Sequence, residues 1–285
     1  MRHTLGFGAT TISCEQCGGG RVDVTLEAVA EDLDAYILRP STSAREDRGN
    51  VVVINGPGPS PLESFACRIR FGSDPDAAIN ATRGWFRERG RQSFTWKLGA
   101  HTTPMDLEER LRAHGAHEDE AEPEHTAMVL DTPPPAVDGI EVRVVETFDD
   151  YVRAAEIMFV GFGGSFTEDE VATMRAALPE RYAEYRDQSV SRRYLAVWDG
   201  APVAAATAIR TSTDVVALGG GATLPEARGR GGYRALVHAR WVDAVAQGQR
   251  GLATQASGMS RPILETLGFR VSGPVLELID TSDAS

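Results

Sequence analysis

Lysine is almost missing from this sequence. Lys97 is the one lysine among 29 basic residues, so imine chemistry has a single candidate, placed in the half of the chain with the weaker catalytic signals. Cysteine is scarce too: Cys14, Cys17 and Cys67 are too few for a disulfide framework. The run Cys14-Glu-Gln-Cys17 has half the spacing of a zinc knuckle, but no second such pair and no paired histidines follow nearby, whereas a tetrahedral site wants four ligands. Reduced thiols, and no metal, are therefore expected. His101, His114, His117 and His125 show no ligand spacing beyond one His-x-x-His. No apolar run approaches the roughly 18 residues that span a bilayer, and the first ten residues lack the apolar core of a secretion signal. A cytoplasmic protein without a membrane partner is expected. There is no Gly-x-Ser-x-Gly elbow, and no Gly-Lys-Ser/Thr as in a P-loop.

What is plentiful is acid. The net charge is −12, with −8 on residues 1–138 and −4 on residues 139–285. Neither half offers the positive field that neutralises phosphates along a duplex, so nucleic acid is not an expected partner. Apolar residues make up 42% of the chain, ample for a core.

Asp131-Thr-Pro-Pro-Pro-Ala-Val-Asp138 divides the chain, because three prolines in a row donate no backbone hydrogen bond and stiffen it toward polyproline II. Residues 131–138 are read as a linker between domains at 1–130 and 139–280. Residues 117–125, with five carboxylates, read as a solvated loop. Upstream, helices are predicted over 29–38, 77–89 and 106–114, and strands over 50–54, 65–71, 93–98 and 126–130. Downstream, strands are predicted over 141–145, 194–198, 203–210 and 215–224, with a hairpin turn at Asp199-Gly200. Helices are predicted over 148–159, 168–177, 179–186 and 231–247, then a strand over 251–255, a helix over 261–267 and strands over 269–272 and 275–279. The fold class is α/β, of mixed α+β character.

Chemistry concentrates in Leu218-Gly-Gly-Gly-Ala-Thr-Leu-Pro-Glu-Ala-Arg-Gly-Arg-Gly-Gly-Tyr233. A strand enters an Arg/Gly-rich turn that opens a long helix. Glycines let successive amides turn toward one point, and the helix N-terminus adds partial positive charge. Arg228 and Arg230 add charge-assisted contacts, so a pyrophosphate is a natural guest. The spacing does not fit a dinucleotide fingerprint, which needs G-x-G-x-x-G.

Arg228-Gly-Arg-Gly-Gly-Tyr233 resembles the acyl-CoA signature of the GNAT superfamily, Arg/Gln-x-x-Gly-x-Gly/Ala, with Tyr233 standing where Gly or Ala is usual. Ser257-Gly-Met-Ser-Arg-Pro-Ile-Leu-Glu-Thr-Leu-Gly-Phe269 resembles that family's late helix and its Leu-Gly-Phe ending. The resemblance covers roughly residues 139–280 and implies a central mixed sheet flanked by helices. It also implies an acetyl-CoA donor whose pantetheine lies along Gly221, Ala222 and Thr223. By the same resemblance Arg228, Gly229, Arg230, Gly231, Gly232 and Tyr233 hold the pyrophosphate. Ser257 stands where an Asn often orients the cofactor.

The implied activity is N-acyltransfer from acyl-CoA to a small-molecule or peptide amine, with a homodimer allowed. The catalytic residues are left unassigned. Family members often carry a carboxylate on the strand before the loop, yet residues 215–224 hold no titratable side chain. Leu264 occupies the place where many have a Tyr. A water relay, Glu168 to Glu170, or Tyr182 to Tyr185 are the alternatives, as is a domain that binds acyl-CoA as a sensor without turnover. Glu226 is read as loop support, and His238 as a helix residue. Residues 94–130 resemble the closing half of a second, degenerate copy of the same domain, expected to be structural or to shape the acceptor pocket. Arg87-Glu-Arg-Gly90 mimics the loop's start in the wrong context, a helix end.

Overall fold

Helices and strands alternate in two successive series. The computed structural model describes residues 24–58, 60–118, 124–163 and 168–281, and the Cys14/Cys17 pair lies outside the described residues. The first half runs α1 (Leu26–Glu31), α2 (Leu33–Tyr36), β1 (Ala44–Asp47), β2 (Val52–Asn55), β3 (Ser64–Cys67), α3 (Pro75–Arg87), β4 (Ser93–Gly99), α4 (Leu107–Ala113), β5 (His117–Glu118) and β6 (Glu124–Leu130). The second runs β7 (Glu141–Val144), α5 (Phe148–Gly161), α6 (Glu168–Gln188), β8 (Ser191–Trp198), β9 (Ala201–Arg210), β10 (Val215–Thr223), α7 (Gly232–Ala246), β11 (Gly251–Ala256), α8 (Arg261–Thr266) and β12 (Arg270–Thr281).

All the strands join one mixed sheet, ordered β1-β2-β3-β4-β12-β6-β11-β10-β9-β8-β7, with β5 on β12. Side chains two apart share a face of a strand. Val216 and Leu218 therefore pack with Leu236, Val237 and Trp241 of α7 and Leu264 of α8. Val215 and Ala217 pack on the other face with Val29, Ala30 and Leu33 of the first two helices. Leu195, Val203 and Ala205 receive Ala154 and Ile157 of α5 and Leu178 of α6.

Local signals explain most boundaries. Asp199 (φ 51°) and Gly200 (φ 76°) both take the left-handed region, the geometry of a two-residue hairpin between β8 and β9. The expected break at Pro179 does not occur: 168–188 is one helix with the proline inside it. Its distal half is tied down by tertiary bonds, since the Tyr182 and Tyr185 hydroxyls donate to the Glu146 and Val145 carbonyls at 2.7 and 3.0 Å. The two short strands expected at the end are one strand, β12, whose register shifts between Val271 and Gly273 to absorb Gly273-Pro274. The expected helix 29–38 is broken at Asp32 into α1 and α2. The acidic stretch read as a loop contributes its ends, His117–Glu118 and Glu124, to strands; residues 119–123 lie outside the described residues.

The two halves exchange their last strands. β6, which closes the first series, pairs antiparallel with β11 of the second. β12, which closes the second, pairs with β4 of the first along seven residues and with β6 on its other edge. The proline-rich segment then has to lead from β6 to β7 across five interstrand steps, about 24 Å at normal spacing. Extended residues in polyproline II rise ~3.1 Å each, so ten of them cover the span. The segment is not a free spacer, because Pro134 is buried and its carbonyl lies 3.0 Å from His238 Nδ1 on α7.

One buried cluster marks the exchange. Asp280 of β12, 1% exposed, accepts from Trp96 Nε1 at 2.7 Å and pairs with Arg83 of α3 at 2.8 Å, both in the first half. Breaking a buried pair by removing one partner costs about 3–5 kcal/mol. Asp280→Ala is expected to lower urea-unfolding stability by that order; a loss under about 1 kcal/mol would show that β12 is not anchored there.

Candidate functional site

The site is built around a fork in the sheet. β10 and β11 run parallel and are in register only over Val215–Ala217 against Gly251–Ala253. Beyond this the strands part, with Thr254 Oγ1 donating to the Leu218 carbonyl at 3.5 Å in the crotch. On its other edge β10 stays paired with β9, but the register shifts between Leu218 and Gly221, which places a bulge at Gly219-Gly220. The open edge of residues 219–223 therefore faces the gap with unpaired backbone groups, which an extended ligand can pair as a strand would.

Glycine is required here by close approach. A side chain at Gly221 would stand 2.9 Å from the Tyr233 ring, and one at Gly220 would meet Met158 Cε at 2.7 Å. The gap thus has α7 on one side and the end of α5, with Met158, Gly161 and the exposed Phe162, on the other. Ala222 is buried against Gly161, so what it and Thr223 offer to the gap is backbone. Ser257 follows β11, the other arm of the fork; its carbonyl accepts from the Ser260 and Arg261 amides, and its half-buried hydroxyl lies 3.4 Å from Ser260 Oγ.

At the far end of β10 the chain turns through Pro225–Ala227 and enters α7 at Gly231, whose φ of +91° a side chain would strain. No side chain caps this helix and its first turn has no acid, so the amides of the first turn remain available to an anion. Arg228 Nη2 donates to the Gly161 carbonyl at 3.0 Å, tying the loop to α5. Arg230 stacks over Trp198 with 3.9 Å between guanidinium carbon and ring centroid. Gly231 backs onto Val137 of the proline-rich strap, 3.0 Å from where a side chain would begin. Tyr233 lies half-buried against Gly221, and burial raises its hydroxyl pKa. Gly221 through Tyr233 are brought to one end of the sheet. Sequence reasoning did not reveal Trp198, Met158, Phe162 or Val137, which carry no motif and arrive from distant elements.

The first half repeats the scheme in weaker form. β3 and β4 are also parallel and joined by a helix, α3, with only two registered pairs. Its helix start is closed, however: the Asp74 side chain accepts from the Ala77 amide at 3.0 Å, and Asp76 sits in the first turn. Two carboxylates occupy the place an anion would need. Arg87 to Gly90 ends this helix rather than opening one.

The other catalytic alternatives fall in different places. The Tyr182 and Tyr185 hydroxyls are bonded to backbone at the end of β7. Glu226 is exposed on the loop, and Leu264 is buried in the core. The side chains of Glu168 to Glu170 lie outside the described ones. Lys97 is clamped between Asp34 (2.8 Å) and Glu277 (2.9 Å). Burial opposes its charge, but the two carboxylates outweigh this and raise its pKa, so it is no nucleophile. Burial likewise pushes the Cys67 thiol up. No cluster of metal-ligating side chains occurs among the described residues, and none of their helices is long and apolar enough to cross a membrane.

No family model and no curated protein matches the sequence. Solved structures do match in fold. A GCN5-related N-acetyltransferase from Kribbella flavida superposes with a TM-score of 0.67 at 17% identity, over 91% of this chain and 96% of that one. A tandem GNAT protein from the clavulanic acid biosynthesis pathway gives 0.59 at 17% identity, over 91% and 88%. A functionally unknown conserved protein from Staphylococcus epidermidis gives 0.61 at 14% identity, over 91% and 98%. The fold is that of GNAT acetyltransferases.

The loop geometry has a direct consequence. Holding a non-glycine residue in the left-handed region costs about 1–2 kcal/mol, and a methyl at Gly231 also presses on Val137. Gly231→Ala is expected to lose at least that much stability, whereas Gly258→Ala, with open space around it, is expected to lose none; equal effects would remove the constraint.

Proposed function

We propose that this protein is an acyl-CoA-dependent N-acyltransferase, moving an acetyl or short acyl group to an amine by direct attack on the thioester. The observation that carries the reading is the meeting, at one end of the sheet, of an open β10 edge and an uncapped helix start. These suit the two recognisable parts of acyl-CoA. The pantetheine amides pair with backbone at Gly221, Ala222 and Thr223, and the pyrophosphate takes the loop from Arg228 to Tyr233.

Each group then has a stated task. The acceptor must lose a proton to expose its lone pair, which forms a bond to the thioester carbon. Backbone amides at the fork hold the oxyanion that develops. Collapse breaks the carbon–sulfur bond, and the thiolate takes up a proton. β10 supplies no titratable side chain for either transfer, so in this reading water in the fork carries these protons, with Glu168 to Glu170 as the alternative base. Met158 and Phe162 overhang Gly220 and give the acceptor an apolar approach.

The bare β10 also favours a second reading, an acyl-CoA sensor without turnover. Thiol release separates the two. With an amine library, a transferase liberates free thiol in step with amide; a sensor binds acetyl-CoA and liberates none. Binding itself is tested by thermal unfolding. A ligand at 100 times its dissociation constant adds about 2.7 kcal/mol, roughly 5–10 °C here. The shift is expected in wild type and absent in Gly231→Glu; a shift retained in the variant would move the donor off this loop.

Stoichiometry gives a further check. The carboxylate-closed α3 predicts one equivalent of acetyl-CoA per chain by calorimetry. Two equivalents of similar affinity would mean that Asp74 and Asp76 do not exclude the anion from the first half.

A further inference from the structure

The fork has a second side, the face of the sheet turned away from α7. On β11, Ala253 packs on that face with Val215, Ala217 and Val29, so Gln255, two residues on, points to it as well. On β9, Ala206 and Ala208 pack toward α7, which turns Thr207 and Ile209 the other way. Between these strands Gly219 and Gly220 bring no side chain. A Cβ at Gly219 would meet Ile209 Cδ1 at 3.0 Å and Thr207 Cβ at 3.3 Å, and one at Gly220 would meet Met158 Cε at 2.7 Å and the Phe162 ring at 3.4 Å. Gln255 comes level with these glycines, because Ala217 pairs with Ala253 and Thr254 Oγ1 reaches the Leu218 carbonyl. This face of the fork is thus bounded by Met158, Phe162, Thr207, Ile209 and Gln255.

None of these five side chains carries a charge. Of the two polar ones, Gln255 is held from behind. Its Nε2 donates to the Ala30 and Glu31 carbonyls at 3.3 and 3.0 Å, at the end of α1. Two acceptors fix which end of the amide is the nitrogen, so the other end is Oε1. Oε1 accepts no hydrogen bond among the described residues, and in the half-buried Gln255 it is not sealed from solvent. The carboxylates at that end of α1 are turned to the first half. Glu31 accepts from the His101 amide at 2.6 Å and from its ring, and Asp32 pairs with Arg70 at 2.7 Å. β10 itself has no titratable side chain. An alkylamine enters such a place at a double cost. It is an ammonium with a pKa of about 10, neutral in roughly one molecule per thousand at pH 7. Desolvating that charge without a counter-ion is unfavourable as well.

We propose that the acceptor is an arylamine, neutral at pH 7, whose N–H donates to Gln255 Oε1 while its ring lies against Met158 and Phe162. This substrate class rests on the acyl-transfer reading and narrows it. An arylamine carries its lone pair free at neutral pH, so no ammonium has to be deprotonated before attack. The lone pair forms the bond to the thioester carbon, and the carbon–sulfur bond breaks. The proton shed by the nitrogen passes through water to the departing thiolate, leaving an amide and free CoA. Gln255 takes one N–H and so turns the lone pair toward the carbon. A thioether and an aromatic ring beside Gly220 suit an aryl group.

Amines of like shape and unlike charge provide the test. The full chain is given acetyl-CoA with 4-methylaniline or 4-methoxyaniline, and with benzylamine or 4-methylbenzylamine, and thiol and amide are followed from pH 6 to 8.5. At pH 7 the anilines are expected to show a kcat/KM at least tenfold above that of the benzylamines. Their rates are expected to change less than twofold with pH, whereas a benzylamine gains close to tenfold per pH unit. Gln255→Leu is expected to raise the aniline KM at least fivefold while keeping the thermal shift given by acetyl-CoA. Phe162→Glu, at a position 65% exposed, is expected to move the preference at least fivefold toward benzylamines, and decides alone if Gln255→Leu does not fold. Alkylamines preferred at pH 7 would overturn the proposal, point to a carboxylate base such as Glu168 to Glu170, and leave acyl transfer standing. Unchanged aniline kinetics in Gln255→Leu, or an unchanged preference in Phe162→Glu, would overturn it too. Thiol released to no amine at all would overturn it together with the acyl-transfer reading.

Discussion

β10 stops pairing with β11 after Ala217, and each backbone group on that edge beyond the fork needs a partner that is not a strand. The rest of the second half is arranged around this divergence. β10 can leave one neighbour only because it holds the other, and it holds β9 only by way of a bulge at Gly219-Gly220. The bulge in turn disturbs the ladder opposite Thr207, and it is to the Thr207 carbonyl that the buried Arg240 donates from α7. The same helix presents its uncapped start to the far end of the gap, so β10 and α7 between them supply an open edge, a glycine-rich loop and the brace behind both.

The exchange of closing strands has a different effect. With β6 between β11 and β12, and β12 between β4 and β6, neither half owns a complete sheet. The fork is opened on one side by β11, and β11 is held in place by a strand from the other half. The first half is thereby part of the rigid frame of the site even though its own helix start is closed by Asp74. The ion pair and indole bond at Asp280 place a buried charge at this junction, where a slipped register would take the carboxylate away from Arg83 and Trp96. The proline-rich strap follows from the exchange, because a chain leaving the middle of the sheet must travel to its edge to begin β7.

Much was legible in local sequence. Asp199-Gly200 fixed the hairpin because only left-handed residues fit a two-residue turn. The rhythm of Tyr233, Leu236, Val237, Trp241, Ala244 and Val245 gave α7 and its buried face, except that Val245 turns out half exposed. Gly229 and Gly231, flanked by arginines before a long helix, gave the loop. Misreadings came where local signals were overruled from a distance. Pro179 looked like a helix end, but Tyr182 and Tyr185 pin the following turns to β7. Gly273-Pro274 looked like a break between strands, yet neighbours on both edges carry β12 through it.

Sequence by itself determined most of the helices, strands and turns, and which Arg/Gly-rich turn opens a long helix, because those depend on backbone preference and side-chain periodicity within a few residues. Tertiary structure alone decided the exchange of β6 and β12, the closing of the gap by Met158 and Phe162, the seating of Arg230 on Trp198, and the reach of Arg240 to the Thr207 carbonyl. Each of these joins residues far apart in the chain, and pairing between distant strands depends on which edges remain open after the local pieces have formed.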